Sequence, residues 1–157
     1  LCEANPNLRV TILDFPNVVG LGKEKVKEAG FSDRITFIGA NALDYNWPTN
    51  VDAVLMSYLY NGVPAESIPQ LAKKAYNVMN PEGLYVVHDF MVENDRSGPH
   101  LAALWQLQHL AFTPTAKSIT PSYVTSVMKD AGFSSINENV LIPGMTKVLW
   151  GKKAKEK

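Results

Sequence analysis

Short apolar, β-branched runs alternate with helical stretches along most of the 157 residues, and few folds accommodate that order. Arg9 to Leu13 reads as a strand ended by Asp14-Phe15-Pro16-Asn17, where Pro and Asn stop extended chain and can start a helix. Val18, Val19, Gly22, Val26 and Ala29 then recur at helical spacing, Lys23, Glu24, Lys25 and Lys27 occupy the other faces, and Gly30 supplies the stop. A second strand is expected at Arg34 to Ile38. A third, Val51 to Ser57, is nearly all apolar and is expected to be central in its sheet.

Ile68, Leu71, Ala72, Ala75, Val78 and Met79 form a helical stripe that Asn80-Pro81-Glu82-Gly83 ends, and Leu84 to Val87 follows as a buried strand. Another helix is expected from His100 to Phe112. The next begins at Thr120-Pro121, with Thr as cap and Pro in the first helical position, and ends at Gly132. Its inner face is Val124, Val127, Met128 and Ala131. Two last strands, near Ser135 to Leu141 and Met145 to Trp150, are joined by Ile142-Pro143-Gly144 as an antiparallel hairpin. The Lys-rich tail after Gly151 reads as a solvated terminus. The sum is one α/β domain: a mostly parallel sheet, helices on both faces and an antiparallel pair at one edge.

Fifteen Lys and Arg balance fifteen Asp and Glu, so no net field draws nucleic acid or anionic lipid to the surface, and neither is expected as a partner. No apolar run reaches the roughly 20 residues that span a bilayer. One cysteine, Cys2, cannot close an internal disulfide, and three scattered histidines make no zinc pattern. A reducing, cytoplasmic setting fits this composition, with no metal expected.

In open α/β sheets ligands sit at the carboxyl ends of the strands. Asp14, Asn41, Ser57 to Asn61 and Asp89 occupy those ends. An acid after an early strand can accept both hydroxyls of a ribose, although Asp before Pro is also a common helix-start residue. Trp105, Phe112 and Tyr123 could line an apolar pocket or simply fill the core, and His109, beside Leu107 and Leu110, reads equally as a packed helical residue.

Five segments in order carry a resemblance: Asp14-Phe15-Pro16-Asn17-Val18-Val19, Ile38-Gly39-Ala40-Asn41-Ala42-Leu43, Asp52-Ala53-Val54-Leu55-Met56, Asn80-Pro81-Glu82-Gly83 and Met128-Lys129-Asp130-Ala131-Gly132-Phe133. Together they resemble the landmarks of S-adenosylmethionine-dependent O-methyltransferases of the caffeate, acetylserotonin and hydroxyneurosporene type. The ensemble, not any one motif, is specific. The resemblance implies a class I methyltransferase sheet, S-adenosylmethionine as cofactor, a small aromatic or polycyclic acceptor, and a homodimeric parent protein. It makes Asp14 the ribose-binding acid and Phe15 the cover of the adenine. Asn41 stands where the family has Asp beside the adenine amino group; Ala42 and Ser57 fall in the same cofactor-binding set. Asn41 can also be read as a turn residue.

The resemblance changes on the catalytic side. Where the family carries a proton-abstracting His, this chain reads Ser57-Tyr58-Leu59-Tyr60-Asn61-Gly62, which puts Asn61 at the His position, and Asn is no general base. Asp89 matches one of the family's two supporting glutamates, and the other is replaced near Ser118. Tyr60, Asn61 and Asp89 are therefore the expected catalytic set, with Tyr60, His109 or His100 assisting. A carbon-methylating enzyme, similar to bacteriochlorophyllide methyltransferases, and a non-catalytic binding domain stay open as alternatives. The family's Gly-rich turn and first strand are not found before Asp14, so the chain is expected to be the carboxyl-terminal part of a longer methyltransferase that binds the cofactor poorly by itself.

Overall fold

The computed structural model describes residues 1–155, and within it the chain forms two compact units, Leu1–Trp47 and Pro48–Lys157. In the first, β1 (Val10–Asp14), α1 (Pro16–Glu28) and β2 (Ile35–Gly39) make a strand-helix-strand crossover unit in sequence order, and the two strands are parallel from Val10↔Ile35 to Asp14↔Gly39. Pro16 opens α1 at its first turn, and Gly30, at φ 77°, lets the chain reverse after it. Gly39 ends β2 where a Cβ would lie 3.3 Å from the Pro16 Cα, so a larger residue would push the helix start away. The Arg34 guanidinium donates to the carbonyls of Cys2, Asn5 and Pro6 at 3.0 to 3.1 Å and ties the amino-terminal turns to this unit.

In the second unit, β3 (Val51–Ser57), α2 (Ser67–Val78), β4 (Met79–Asp89), α3 (His100–Phe112), α4 (Pro121–Ala131), β5 (Ser134–Ile142) and β6 (Thr146–Lys152) build a four-stranded sheet of order β3-β4-β6-β5. β3 and β4 run parallel; β6 runs antiparallel to both β4 and β5, the carboxyl-terminal pair expected from the sequence. The core lies where the buried faces of α2 (Ile68, Leu71, Ala72, Ala75) and α4 (Val124, Val127, Met128) meet, over Tyr85, Val87 and Leu149. Thr120 Oγ1 accepts from the Tyr123 N–H at 3.2 Å and Pro121 follows it, so α4 begins as its sequence specifies. Gly132, at φ 109°, closes that helix. A Cβ there would strike the Tyr76 ring at 2.9 Å, so sterics and backbone both select glycine.

Several sequence expectations are corrected. The single continuous sheet is two hydrogen-bonded sheets, because among the described residues β1 pairs with β2 and β3 with β4 alone. β3 is an edge strand and not a central one: Met56 is buried, whereas Leu55 is 51% exposed. Apolarity specified a strand that could be covered on both faces, but not what covers it. Asn80-Pro81-Glu82-Gly83 lies inside β4, since the chain turns extended at Met79 immediately after α2. The Lys-rich tail is held and not simply solvated through Lys155: Lys153 donates from its Nζ to the Met79 carbonyl at 2.7 Å, and Lys155 pairs with Glu82 at 3.3 Å. Its last two residues, 156–157, lie outside the described residues.

Val18, expected on the inner face of α1, is 42% exposed, and Val19 is the buried residue of that helix. No helix among the described residues is long and apolar enough to cross a membrane.

Candidate functional site

In the first unit, parallel pairing brings the carboxyl ends of β1 and β2 together, and with them Asp14 and the Asn41 turn: the Ala40 N–H donates to the Asp14 carbonyl at 2.9 Å. Asp14 Oδ1 accepts from the Phe15 N–H at 2.7 Å, and the second carboxylate oxygen accepts no hydrogen bond among the described residues. The Phe15 ring is 54% exposed. A carboxylate oxygen with free lone pairs beside an uncovered aromatic face suits a ribose and its base, so these residues fit a nucleoside cofactor.

Asn41 accepts from the Leu43 N–H at 3.0 Å and donates to Asp44 Oδ2 at 2.8 Å, an Asx turn that uses its oxygen and one amide hydrogen. This is the turn-residue reading of Asn41, and its second amide hydrogen has no partner among the described residues. Ala42 lends its carbonyl to the Trp47 indole N–H at 2.9 Å.

In the second unit, register places Ser57 opposite His88 across β3 and β4. Ser57 Oγ lies 3.1 Å from His88 Nδ1, and Thr146 Oγ1 lies 3.1 Å from His88 Nε2. Burial lowers the His88 pKa from its usual 6.5 and favours the neutral ring. Sequence reading missed His88 and Thr146, since only strand register reveals their contact.

Tyr60 and Asn61 begin a single 3-10 turn, Tyr60–Gly62, after β3. The Tyr60 side chain, expected to orient an acceptor, is fully buried, and its hydroxyl bonds to the equally buried Tyr85 hydroxyl of β4. Burial raises the pKa of both phenols, so both stay protonated. Asn61, 1% exposed, and Asp89, fully buried, do come together. Asn61 Nδ2 donates to Asp89 Oδ1 at 2.7 Å and to the Phe90 carbonyl at 2.8 Å, and its backbone N–H reaches Asp89 Oδ2 at 3.3 Å. The amide cannot be turned over, because its oxygen would then face two acceptors. Burial pushes the Asp89 pKa up from its usual value, against the stabilising N–H donors of Asn61 and Phe90.

Around this pair stands an aromatic wall. Trp105 of α3 stacks on Phe90 with centroids 4.5 Å apart and planes at 18°, and Tyr58, 42% exposed, lies 5.5 Å from Phe90. Gln106 donates to the carbonyls of Phe90 and Ile119 at 2.8 and 3.0 Å and accepts from the Ser118 hydroxyl, which is also bonded by Arg96. Ser118 therefore buttresses α3 through Gln106. Of the residues left open between pocket and core, Trp105 joins the wall, whereas Phe112 is 77% exposed. Among the described residues no group of three His, Cys, Asp or Glu stands ready to hold a metal.

A sequence model of the family described as "O-methyltransferase domain" matches residues 1–134. A 3-hydroxy-5-methyl-1-naphthoate 3-O-methyltransferase of Streptomyces sahachiroi is 28% identical over 98% of this chain and 45% of its own length. An L-tyrosine C(3)-methyltransferase of Streptomyces lavendulae is 30% identical over 93% of this chain and 40% of its own. The crystal structure of the S-adenosylmethionine-dependent methyltransferase SibL in its apo form superposes with a TM-score of 0.85 at 26% identity, over 99% of this chain and 46% of that one. The chain spans less than half the length of these relatives. By the match to residues 1–134, this chain belongs to the O-methyltransferase domain family.

Proposed function

We propose that these 157 residues are the carboxyl-terminal part of one catalytic domain, and that the complete protein transfers a methyl group from S-adenosylmethionine to a hydroxyl of a small aromatic or polycyclic acceptor. The family match over residues 1–134 carries this reading. The open apolar edge of β3, with Leu55 51% exposed, supports the view that further chain completes the domain.

When bound, S-adenosylmethionine supplies an electrophilic methyl group on a sulfonium centre. Asp14 accepts from the ribose hydroxyls through the oxygen that Phe15 leaves free, and the exposed Phe15 ring covers the base. Asn41 and Ala42 shape the adenine side, and Ser57, fixed by neutral His88, presents its hydroxyl at the end of β3. On the acceptor side Asp89 holds Asn61, and Asn61 with the wall of Tyr58, Phe90 and Trp105 orients a planar ring. Tyr60 supports this turn from beneath through Tyr85. The relative that methylates a naphthoate, as its name states, supports an acceptor of this size and flatness.

The whole protein is expected to be a cytoplasmic homodimer. The exposed leucines of α3, Leu101, Leu104 and Leu107 at 53, 61 and 64%, support a protein partner on that face, and light scattering of the complete protein tests it. The function itself is tested by screening the complete protein with S-adenosylmethionine against naphthols, polyketide phenols and indoles, measuring S-adenosylhomocysteine and the mass of the product. Methyl ethers of fused-ring phenols are expected. Tight cofactor binding without any product would overturn the reading, and a ring-methylated product would overturn its oxygen specificity.

A further inference from the structure

Three side-chain atoms of the second unit are buried without a hydrogen-bond partner among the described residues: Asn61 Oδ1, Trp105 Nε1 and His109 Nε2. Buried polar atoms are nearly always paired, so three in one place call for an explanation. They do share one place. Trp105 and His109 are one helical turn apart on α3, with ring centroids 5.3 Å apart, edge to face. The His109 ring also lies against the Asn61-Gly62 turn, close enough that a Cβ on Gly62 would sit 3.7 Å from its Nδ1 and Cε1. Trp105 stacks on Phe90, whose carbonyl accepts from Asn61.

These atoms have complementary chemistry. The indole N–H can only donate and the Asn61 oxygen can only accept, while an imidazole with its hydrogen on Nδ1 offers a lone pair at Nε2. Asn61 cannot turn its amide to satisfy itself, because both hydrogens are committed to Asp89 and Phe90. An aromatic hydroxyl matches this set and the flat wall beside it: its oxygen accepts from the indole while its hydrogen points to a base.

Resting on the acceptor class proposed above, we propose that Trp105 and His109 bind the acceptor's phenolic hydroxyl and that His109 Nε2 takes its proton, a base supplied from α3 in place of the missing histidine at position 61. The O–H bond breaks, the proton joins the Nε2 lone pair, and the electron pair stays on the phenol oxygen. The resulting phenolate is held by the Trp105 N–H, and Asn61 Oδ1 accepts from a second donor on the ring or from the imidazolium. Fixed dipoles at the forming charge and a neighbouring base are the two requirements for activating a phenol.

The test uses the complete protein and 4-nitrophenol, whose ionised form has its own visible absorption, at a pH below the pKa of the free probe. The experiment contains no methyl donor, so failure of methyl transfer and failure of this inference are separate results. The protein is expected to bind the probe and generate the phenolate band. His109→Gln should bind it more weakly and without the band, and His109→Asn should do the same, guarding against a local packing effect of one substitution. Trp105→Phe should weaken binding about tenfold, as expected for loss of one hydrogen bond to a charged oxygen. Circular dichroism establishes that each variant is folded. Absence of probe binding by the unaltered protein, or an undiminished band in folded His109 variants, would overturn the proposal.

Discussion

Removing either hydroxyl of the buried Tyr60–Tyr85 pair should cost more than removing both. Each side chain is fully buried, the hydroxyls bond to one another, and the Tyr85 ring stacks on Phe133 at 4.6 Å and 15°. Tyr→Phe at either position keeps the ring and its packing but strands the remaining hydroxyl where water does not reach it. A stranded buried donor or acceptor costs about 1–3 kcal/mol, so each single variant should lose about that much. The double variant replaces the pair with two rings of the same shape and loses only the net worth of one hydrogen bond, about 0.5–1.5 kcal/mol. The sum of the single losses should therefore exceed the double loss by about 1 kcal/mol or more. Urea unfolding followed by circular dichroism reads this directly. With slopes of about 1–3 kcal/mol per molar, a 2 kcal/mol loss moves the midpoint by about 1 M. If the two losses simply add, or each single variant stays within about 0.5 kcal/mol of the parent, the pair is not the buttress beneath the Asn61 turn that its geometry indicates.

Asp14→Ala should weaken S-adenosylmethionine binding by the complete protein by about 1.5–3 kcal/mol, the range for hydrogen bonds to a charged acceptor; unchanged affinity by calorimetry would remove the ribose assignment. His88 carries a sign that can be checked. Its folded pKa lies below the unfolded value of 6.5, so its contribution is complete above that value and is lost as pH falls through the folded one. Acidification from about pH 7 to about pH 5 should therefore lower the urea midpoint of the parent more than that of His88→Gln, and parallel curves would refute the role given to burial.

The elements were legible wherever the chain marks its own boundaries. α4 is the clearest case, because Thr120 and Pro121 start it and Gly132 ends it through local chemistry that operates whatever surrounds the helix. The antiparallel pair of β5 and β6 was similarly written in two short strand segments around a Pro-Gly turn. The place of β3 was not legible for a different reason. An apolar strand reports that burial would be favourable, whereas its neighbours are set by chain distant in sequence, and β3 meets only β4 among the described residues. Met79–Gly83 failed at the level of local rules. Pro81 and Gly83 are poor strand residues in general, but a strand's first residues tolerate them because fewer ladder bonds depend on their N–H groups.

The site shows the same division, carried one step further into chemistry. Asn61 and Asp89 stood out singly because each follows a strand, but their pairing depends on a distance across the sheet that no sequence spacing encodes. Tyr60 was placed correctly in the chain and still could not be given a direction: one residue before Asn61 in the same 3-10 turn, its side chain points into the core toward Tyr85 while Asn61 faces Asp89. Trp105 and His109 left a faint signal, an aromatic and an imidazole four apart in a helix with little amphipathic pattern, which packing alone would equally explain. What separates the two readings is saturation of hydrogen bonds. A packed histidine finds a partner for its buried nitrogen, and His109 Nε2 has none among the described residues, beside an indole N–H and an amide oxygen in the same condition. Substituting Asn for the expected histidine at position 61 thus removes a base from one side of this wall, and α3 offers a nitrogen of the same chemistry from the other.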